Sequence, residues 1–229
     1  MKILTLDIGG GFIKYALFEN GMLTQPGSVP TQASLGPEAL LQTILRLAAR
    51  FPEKEAVGIS FASQINPTEG YISSATGTFP GFTGLPIKAL LEQELGVPVS
   101  IDNDVNCAAV GEGHQGAAAG CPDFLCLTYG TGIGGAIAIG GSLYYGQTFA
   151  AGEVGHMTLY AGGLRCNCGR QGCYEAYAST AALIRRVYEE HGLTLDGREI
   201  CERIEQGDEA LRKTVSDWVG DVCAGLASC

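Results

Sequence analysis

The sequence lacks three features that would place it in common functional classes. It has no run of lysine or arginine and its net charge is −10, which argues against a nucleic-acid surface because such surfaces need clustered basic residues. No apolar stretch reaches the roughly 18 residues that a membrane span needs. Met1 and Lys2 lead directly into a strand-like segment, without the pattern of a signal peptide. We therefore expect a cytoplasmic protein that binds neither nucleic acid nor membrane.

The composition is that of a folded globular chain. The 229 residues are 46% hydrophobic and 17% charged, enough for one large domain or two small ones with a sizeable core. Nine cysteines, an odd number, in a chain without a secretory pattern favour a reduced compartment over a disulfide framework. The 34 glycines cluster at the boundaries between strands and turns.

Strand-like and helix-like segments alternate, which predicts an α/β fold. We expect strands at 2–8, 12–18 and 56–61 and helices at 37–50 and 86–95, with a long loop at 62–83 and a further strand leading into Asp102. Strands at 123–129 and 136–139 then repeat the opening pattern, and helices follow at 176–190, 197–205 and 208–226. The repeat predicts two related domains, 1–115 and 116–229, the second of which looks incomplete.

The known nucleotide motifs are missing, but two glycine-rich turns follow strands. Neither turn matches the P-loop or the dinucleotide fingerprint. Glycine lets backbone N–H groups approach an anion, so both turns could bind phosphate, although a tight hairpin explains the first equally well. Asp7 precedes the first turn and is suited to hold a hydrated Mg²⁺. The predicted phosphate-binding glycines are Gly9, Gly10, Gly11, Gly130 and Gly132, with Thr131 adding a hydroxyl.

The segment from Ile101 to Asn106 places carboxylates and amides between a strand and a helix. This is where α/β proteins present chemistry to a ligand. The simpler interpretation is that Asn103 or Asp104 caps the helix, since short polar side chains satisfy its first N–H groups.

Three cysteines and one histidine form a second polar cluster. His156, Cys166, Cys168 and Cys173 supply one imidazole and three sulfurs, a complete tetrahedral zinc set. Free buried thiols are the alternative. Glu153 and Glu175 flank the cluster and could accept hydrogen bonds from the hydroxyls of a polyol, or be solvated surface carboxylates.

Five motifs together resemble one family. They are Asp7-Ile8-Gly9-Gly10, Asn103-Asp104-Val105-Asn106, Gly130-Thr131-Gly132-Ile133-Gly134, Gly152-Glu153-Val154-Gly155-His156 and Cys166-x-Cys168-Gly169-x-x-Gly172-Cys173-x-Glu175. In this order they are similar to the ROK sugar kinases, named for repressors, open reading frames and kinases. In the segment 58–66, the Ala-Ser-Gln sequence is more similar to members acting on glucose or β-glucosides than to the Pro-Gly form of many glucokinases.

The resemblance implies the ribonuclease-H/actin-like ATPase fold, with two related domains around a cleft that binds Mg-ATP and a sugar. It implies that Asp104 is the general base for the attacking hydroxyl, in the family usually the 6-OH. Asn103, Glu153, His156 and Glu175 would contact the sugar, and His156 would also bind zinc. Lys14 joins Asp7 and the glycines as a predicted ATP-binding residue, and a homodimer is a further expectation.

Two departures from the family pattern accompany the resemblance. Gly11 stands where members usually have threonine, which removes a hydroxyl donor to phosphate. Members also continue through another strand, a glycine pair near the adenosine and a helix returning to the first domain. On this basis we expect a C-terminally shortened chain, which is a fragment, a naturally shortened gene product, or a chain whose gap a partner subunit covers.

The sequence therefore predicts an ATP-dependent hexose kinase. The first alternative is a shortened, catalytically impaired relative that binds sugar or has a structural role. The second, a sugar-responsive repressor, would need a DNA-binding segment before the first strand, and the acidic charge opposes it.

Overall fold

The structure is a computed structural model that describes residues 1–75 and 77–229; Thr76, in the predicted loop 62–83, lies outside the described residues. The chain divides into two compact units. Unit 1 contains Met1–Gly120 and Tyr145–Ala150, and unit 2 contains Cys121–Tyr144 and Ala151–Cys229. The assignment of domains 1–115 and 116–229 stays a prediction.

Unit 1 is built on a five-stranded sheet. Its strands are β1 (Ile3–Ile8), β2 (Phe12–Glu19), β3 (Met22–Pro30), β4 (Ala56–Phe61), β5 (Gln64–Asn66), β6 (Tyr71–Ser74) and β7 (Val99–Asn103), and its helices are α1 (Pro37–Ala48), α2 (Ile87–Leu95) and α3 (Asp104–Gln115). The sheet order is β3-β2-β1-β4-β7, and β5 and β6 form a separate two-stranded sheet. Strands β1, β4 and β7 are parallel, whereas β2 and β3 are antiparallel to their neighbours.

Alternation along the strands gives the sheet of unit 1 two different faces. Leu4, Leu6 and Ile8 of β1 are buried in the core, because successive strand residues point to opposite faces. The same core contains residues of α1 and α2, including Leu40, Ile44, Ile87 and Leu91. The intervening residues of β1, Thr5 and Asp7, line a groove of about 450 Å³ on the other face.

Three strands in unit 1 were not predicted. Strand β3 is largely exposed and contains Pro26 and Gly27, so it has no clear apolar alternation, and proline is tolerated there because β3 is an edge strand. Strands β5 and β6 lie inside the predicted loop 62–83 and are only three and four residues long.

Unit 2 repeats the strand order seen at one edge of unit 1. Strands β8 (Phe124–Tyr129), β9 (Ile133–Ile139) and β10 (Ser142–Leu143) form an antiparallel sheet ordered β10-β9-β8, as β3-β2-β1 are in unit 1. A 3-10 helix at Val154–His156 precedes four helices, α4 (Glu175–Ala178), α5 (Thr180–His191), α6 (Gly197–Glu205) and α7 (Glu209–Leu226). Residues of α5, α6 and α7, among them Val187, Ile200 and Leu211, form a helical core.

The predicted helix at 176–190 is two helices. The side chain of Ser179 accepts a hydrogen bond from the Ala182 amide and caps α5, so the chain turns at this serine. Within residues 1–75 and 77–229, no helix has both the length and the apolar character needed to cross a bilayer.

Candidate functional site

The register of the parallel strands brings polar residues together at one end of the unit 1 sheet. Asp7 pairs with Ser60, and Ser60 pairs with Asp102. The Ser60 hydroxyl donates to Asp7 Oδ1 over 2.9 Å, and Lys14 Nζ lies 3.8 Å from Asp7 Oδ2. Asp7, Lys14, Ser60 and Asp102 all line the groove. Because the Asp7 side chain is 51% exposed, its carboxylate is accessible to a hydrated cation.

Asn103 caps α3 and also orients Asp104. Its Oδ1 accepts hydrogen bonds from the Val105 amide (2.9 Å) and the Asn106 amide (3.3 Å). Its Nδ2 donates to the Ser63 carbonyl (3.1 Å) and to Asp104 Oδ1 (2.9 Å). The capping interpretation therefore holds for Asn103, whereas Asp104 is the first residue of the helix.

Hydrogen bonds from two neighbours orient the carboxylate of Asp104. The bonds from Asn103 Nδ2 and from the Val105 amide both end on Oδ1. Burial and the nearby Asp7 charge raise the pKa of Asp104, although its hydrogen bonds act in the opposite direction. This environment makes the carboxylate a better proton acceptor than an exposed aspartate.

The first glycine turn is a hairpin between β1 and β2. The Gly9 amide donates to the Phe12 carbonyl over 3.0 Å, and the Thr31 hydroxyl donates to the Gly9 carbonyl over 2.7 Å. A side chain at Gly10 would collide with Thr78, whereas a Cβ at Gly11 would meet nothing within 4 Å. The turn is therefore a tight hairpin, as the alternative interpretation had it. It lies beside Asp7, where phosphate binding was predicted.

The second glycine turn, between β8 and β9, lies against Glu175. The Gly130 amide bonds to the Gly132 carbonyl over 2.9 Å. A Cβ at Gly132 would lie 2.7 Å from Glu175 Oε2, which also accepts a hydrogen bond from the Ile133 amide at 3.4 Å. The missing side chain at Gly132 therefore permits the approach of Glu175, while Thr131 is exposed.

Close backbone packing positions Glu153 and His156. A Cβ at Gly155 would collide with the Ile133 carbonyl, and a Cβ at Gly152 would lie 2.5 Å from the carbonyl oxygen of Gly135. The segment can approach β9 only because these positions are glycine. His156 Nε2 lies 3.9 Å from Glu153 Oε2, and His156 Nδ1 lies 3.6 Å from Glu175 Oε1. Unit 2 thus brings the three predicted sugar-binding residues Glu153, His156 and Glu175 together.

The four predicted metal ligands lie in one cluster. One donor atom from each of His156, Cys166, Cys168 and Cys173 falls within 4.8 Å of the others. Cys166 Sγ is 3.6 Å from His156 Nδ1, and Cys168 Sγ is 3.6 Å from Cys173 Sγ. A tetrahedral zinc with Zn–S near 2.3 Å and Zn–N near 2.0–2.1 Å requires donor separations of about 3.5–3.8 Å. Two donor pairs have this separation and all four donors lie within 4.8 Å of one another, so the donor set is compatible with zinc.

Arg170 borders this cluster and was not predicted as a site residue. Its guanidinium donates to the His156 carbonyl over 2.8 Å. Burial acts to raise the pKa of the Cys168 thiol, but hydrogen bonds from Arg170 and the neighbouring thiols lower it to about 6. With this pKa, Cys168 is mainly the thiolate at neutral pH, which is the form that binds a metal.

Comparison with known proteins gives the family. The ROK family model matches residues 3–228. The chain belongs to the ROK family. It is 35% identical to a glucokinase from Halalkalibacterium halodurans, over 97% of this chain and 75% of the relative. It is 35% identical to a β-glucoside kinase from Klebsiella pneumoniae, over 99% of this chain and 76% of the relative.

A solved ROK structure has the same fold. The ROK family glucokinase from Streptomyces griseus, solved with glucose and AMPPNP, matches with a TM-score of 0.84 and 32% identity, over 100% of this chain and 78% of that chain. The predicted α/β fold of ribonuclease-H/actin-like type is confirmed. The predicted family and enzyme class, a ROK-type sugar kinase, are also confirmed by these relatives.

The structure also shows partners of the ROK motifs that sequence patterns did not indicate. Asp102 accepts hydrogen bonds from the Asn103 amide and, 43 residues away, from the Tyr145 hydroxyl. Asp102 stands beside the predicted site in the sequence, so its position was a usable signal. Tyr145 has no spacing or motif that connects it to Asp102.

Proposed function

We propose that this chain transfers the γ-phosphoryl group of Mg-ATP to a hydroxyl of a hexose or hexose-containing sugar, with Asp104 as general base. The proposed acceptor is the 6-OH, the hydroxyl that members of the family usually phosphorylate. The observation that supports this proposal most directly is the environment of Asp104. Asn103 donates to its Oδ1 at 2.9 Å and burial raises its pKa; Oδ2 would then accept the proton of the attacking hydroxyl.

The base would act by taking the hydroxyl proton as the oxygen attacks. Phosphoryl transfer depends mainly on positioning the reactants and on stabilising charge. The protein therefore needs to supply one oriented carboxylate as base and backbone N–H groups that bind the phosphates. The N–H groups at the N-terminus of α3 carry partial positive charge and act against burial, which limits how far the pKa of Asp104 rises.

The sugar would be held by the residues gathered in unit 2. If His156 Nδ1 binds the metal, its Nε2–H is free to donate to a sugar hydroxyl, and Glu153 and Glu175 would accept from others. Asn103 would also contact the sugar, exchanging its bond to the Ser63 carbonyl for a sugar oxygen.

The nucleotide phosphates would be bound by the glycine turns. Gly9, Gly10 and Gly11 lie beside Asp7 and Lys14, and Gly130, Thr131 and Gly132 form the turn of unit 2. Asp7 would hold the hydrated Mg²⁺, which neutralises phosphate charge when bound. Lys14 could exchange its 3.8 Å contact with Asp7 for a phosphate oxygen.

Zinc would be held by His156 Nδ1 and the three cysteine sulfurs. With four protein ligands the ion would be structural. Its role would be to hold the segments that carry His156 and Glu175 in place.

ADP release with Mg-ATP and a panel of sugars tests the proposal. The panel contains glucose, mannose, fructose, N-acetylated hexosamines and cellobiose. We expect turnover with at least one sugar, reduced about 10²–10⁴-fold in Asp104→Asn. Asp217→Asn, an exposed aspartate of α7, is the matched control and should keep full activity.

Absence of turnover with every sugar would refute the kinase and favour the sugar-binding relative. Equal activity in wild type and Asp104→Asn would refute Asp104 as base. Product analysis by NMR identifies the phosphorylated hydroxyl. A homodimer and a cytoplasmic location stay predictions, and light scattering of the purified chain measures the first.

A further inference from the structure

Asp102 is the residue that joins the start of α3 to a distant part of the chain. Its Oδ1 accepts hydrogen bonds from the Asn103 amide (2.7 Å) and from Asn106 Nδ2 (2.9 Å). Its Oδ2 accepts the Tyr145 hydroxyl at 2.6 Å. The two oxygens therefore hold the turn on one side and Tyr145 on the other.

Tyr145 lies in a segment that leaves unit 2 and packs with unit 1. Residues Tyr145–Ala150 belong to unit 1, although the residues before and after them belong to unit 2. Tyr145 lies two residues after the end of β10, and Gly152 and Glu153 come shortly after the segment. Burial and the bond to Asp102 raise the pKa of Tyr145, so its hydroxyl remains a hydrogen-bond donor at neutral pH.

We propose that Tyr145 is a positioning residue of the kinase site, fixing through Asp102 the turn that carries Asn103 and Asp104. This proposal rests on the proposed function. The connection runs from the Tyr145 hydroxyl to Asp102, from Asp102 to the Asn103 amide, and from Asn103 Nδ2 to Asp104 Oδ1. Each step is a hydrogen bond of 2.6–2.9 Å.

A tyrosine suits this position because it is a neutral donor. An arginine or lysine bonded to Asp102 would place a positive charge close to Asp104, which would favour its ionised form and make it a weaker base. The tyrosine hydroxyl satisfies the Asp102 carboxylate without that charge. Its planar ring also has few rotamers, so it holds the position at low entropic cost.

Tyr145→Phe tests the proposal, with Tyr144→Phe as the matched control. Phenylalanine keeps the ring and removes only the hydroxyl. The Tyr144 side chain is 54% exposed and is adjacent in sequence. We expect Tyr145→Phe to lower kcat about tenfold, since small displacements of a catalytic group are costly, and to change the KM for ATP less than twofold. Tyr144→Phe should match wild type.

A loss of thermal stability in Tyr145→Phe without loss of kcat at 25 °C would overturn the proposal. A double-mutant cycle adds a second criterion. If Tyr145 acts through Asp102, then in the Asp102→Ala background Tyr145→Phe lowers kcat less than twofold further. Additive losses would also overturn it.

Hydrogen exchange on the ligand-free protein separates this proposal from the kinase activity. We expect faster exchange of the Asn103–Asn106 amides in Tyr145→Phe and no change in Tyr144→Phe. Unchanged exchange there would overturn the positioning role even in an active kinase. If wild type phosphorylates no sugar, the proposed function fails, and the exchange result alone decides whether Tyr145 holds the turn.

Discussion

The side-chain amide of Asn103 lies 2.9 Å from Asp104 Oδ1, so the residue that caps α3 also fixes the orientation of the proposed base. The same amide group donates to the Ser63 carbonyl, in the link between β4 and β5. Helix capping and orientation of the carboxylate are thus two consequences of one side chain.

Replacing the proposed base should stabilise the folded protein at neutral pH. Burial raises the pKa of Asp104 above 3.8 in the folded state, so the folded protein binds the proton more tightly and ionisation costs stability. Asp104→Asn removes that cost, which is about 1.4 kcal/mol for each tenfold gain in proton affinity on folding. Denaturant unfolding at several pH values should show the gain at pH 7 and its loss as pH falls through the raised pKa.

The pKa of Asp217 is shifted in the opposite direction from that of Asp104, so Asp217→Asn is the control for that experiment. Its hydrogen bond to Lys213 lowers the pKa of Asp217, so Asp217→Asn should give no gain at pH 7. A gain of equal size in both variants would contradict the burial argument for Asp104.

Kinase activity should depend on the ionisation of Asp104. Since only the carboxylate can accept the proton, log(kcat/KM) should rise with slope near one as pH increases through the raised pKa, and then level off. The midpoint should lie above 3.8, the ordinary value. Steady-state rates between pH 4 and pH 8 measure it, and a flat profile over this range would contradict the role of Asp104 as base.

A threonine at position 11 should strengthen ATP binding. A Cβ at Gly11 meets nothing within 4 Å, so Gly11→Thr fits and adds a hydroxyl donor beside the predicted phosphate site. A hydrogen bond to a charged group contributes about 1.5–3 kcal/mol, equivalent to a fall of about 10-fold or more in the KM for ATP. Gly11→Val has the same shape without the hydroxyl and should give no such fall; an unchanged KM in Gly11→Thr would contradict the prediction.

Purified protein should contain one zinc per chain, and its removal should destabilise unit 2. Loss of a structural zinc costs several kcal/mol. Each kcal/mol shifts the Tm of a chain of this size by about 2–4 °C, so we expect a fall of about 5–15 °C. Elemental analysis and thermal melts with and without a chelator measure both quantities.

Cys168→Ser should reproduce the loss of zinc, and Cys201→Ser should not, because Cys201 is an exposed thiol of α6 outside the cluster. Equal zinc content in Cys168→Ser and wild type would show that Cys168 is not a ligand.

Arg170 should support the metal without binding it. Its hydrogen bond to the His156 carbonyl holds the backbone of one ligand, and its positive charge lies beside a cluster of three thiols. Partners of this kind alter metal affinity about 10–100-fold. Competition with a chromogenic chelator should show weaker zinc binding in Arg170→Ala but not in Arg198→Ala, an exposed arginine of α6.

Local patterns in the sequence determined most of the elements and the motifs of the site. Alternating apolar residues predicted β1 and helical spacing predicted α1, because burial of an apolar face leaves a clear period in the chain. The length and apolar composition of 56–61 predicted β4. The cysteine spacing indicated the metal ligands for a related reason. Cys166, Cys168 and Cys173 lie within one short loop, where separation along the chain limits separation in space.

Only the tertiary structure decided which distant residues meet. Edge strand β3 has no apolar period, since it buries little, so backbone pairing with β2 defines it. The contact between Tyr145 and Asp102 spans 43 residues, and it forms because the segment Tyr145–Ala150 packs with unit 1. Such a contact depends on packing between elements, and a periodic pattern records only the burial of each element by itself.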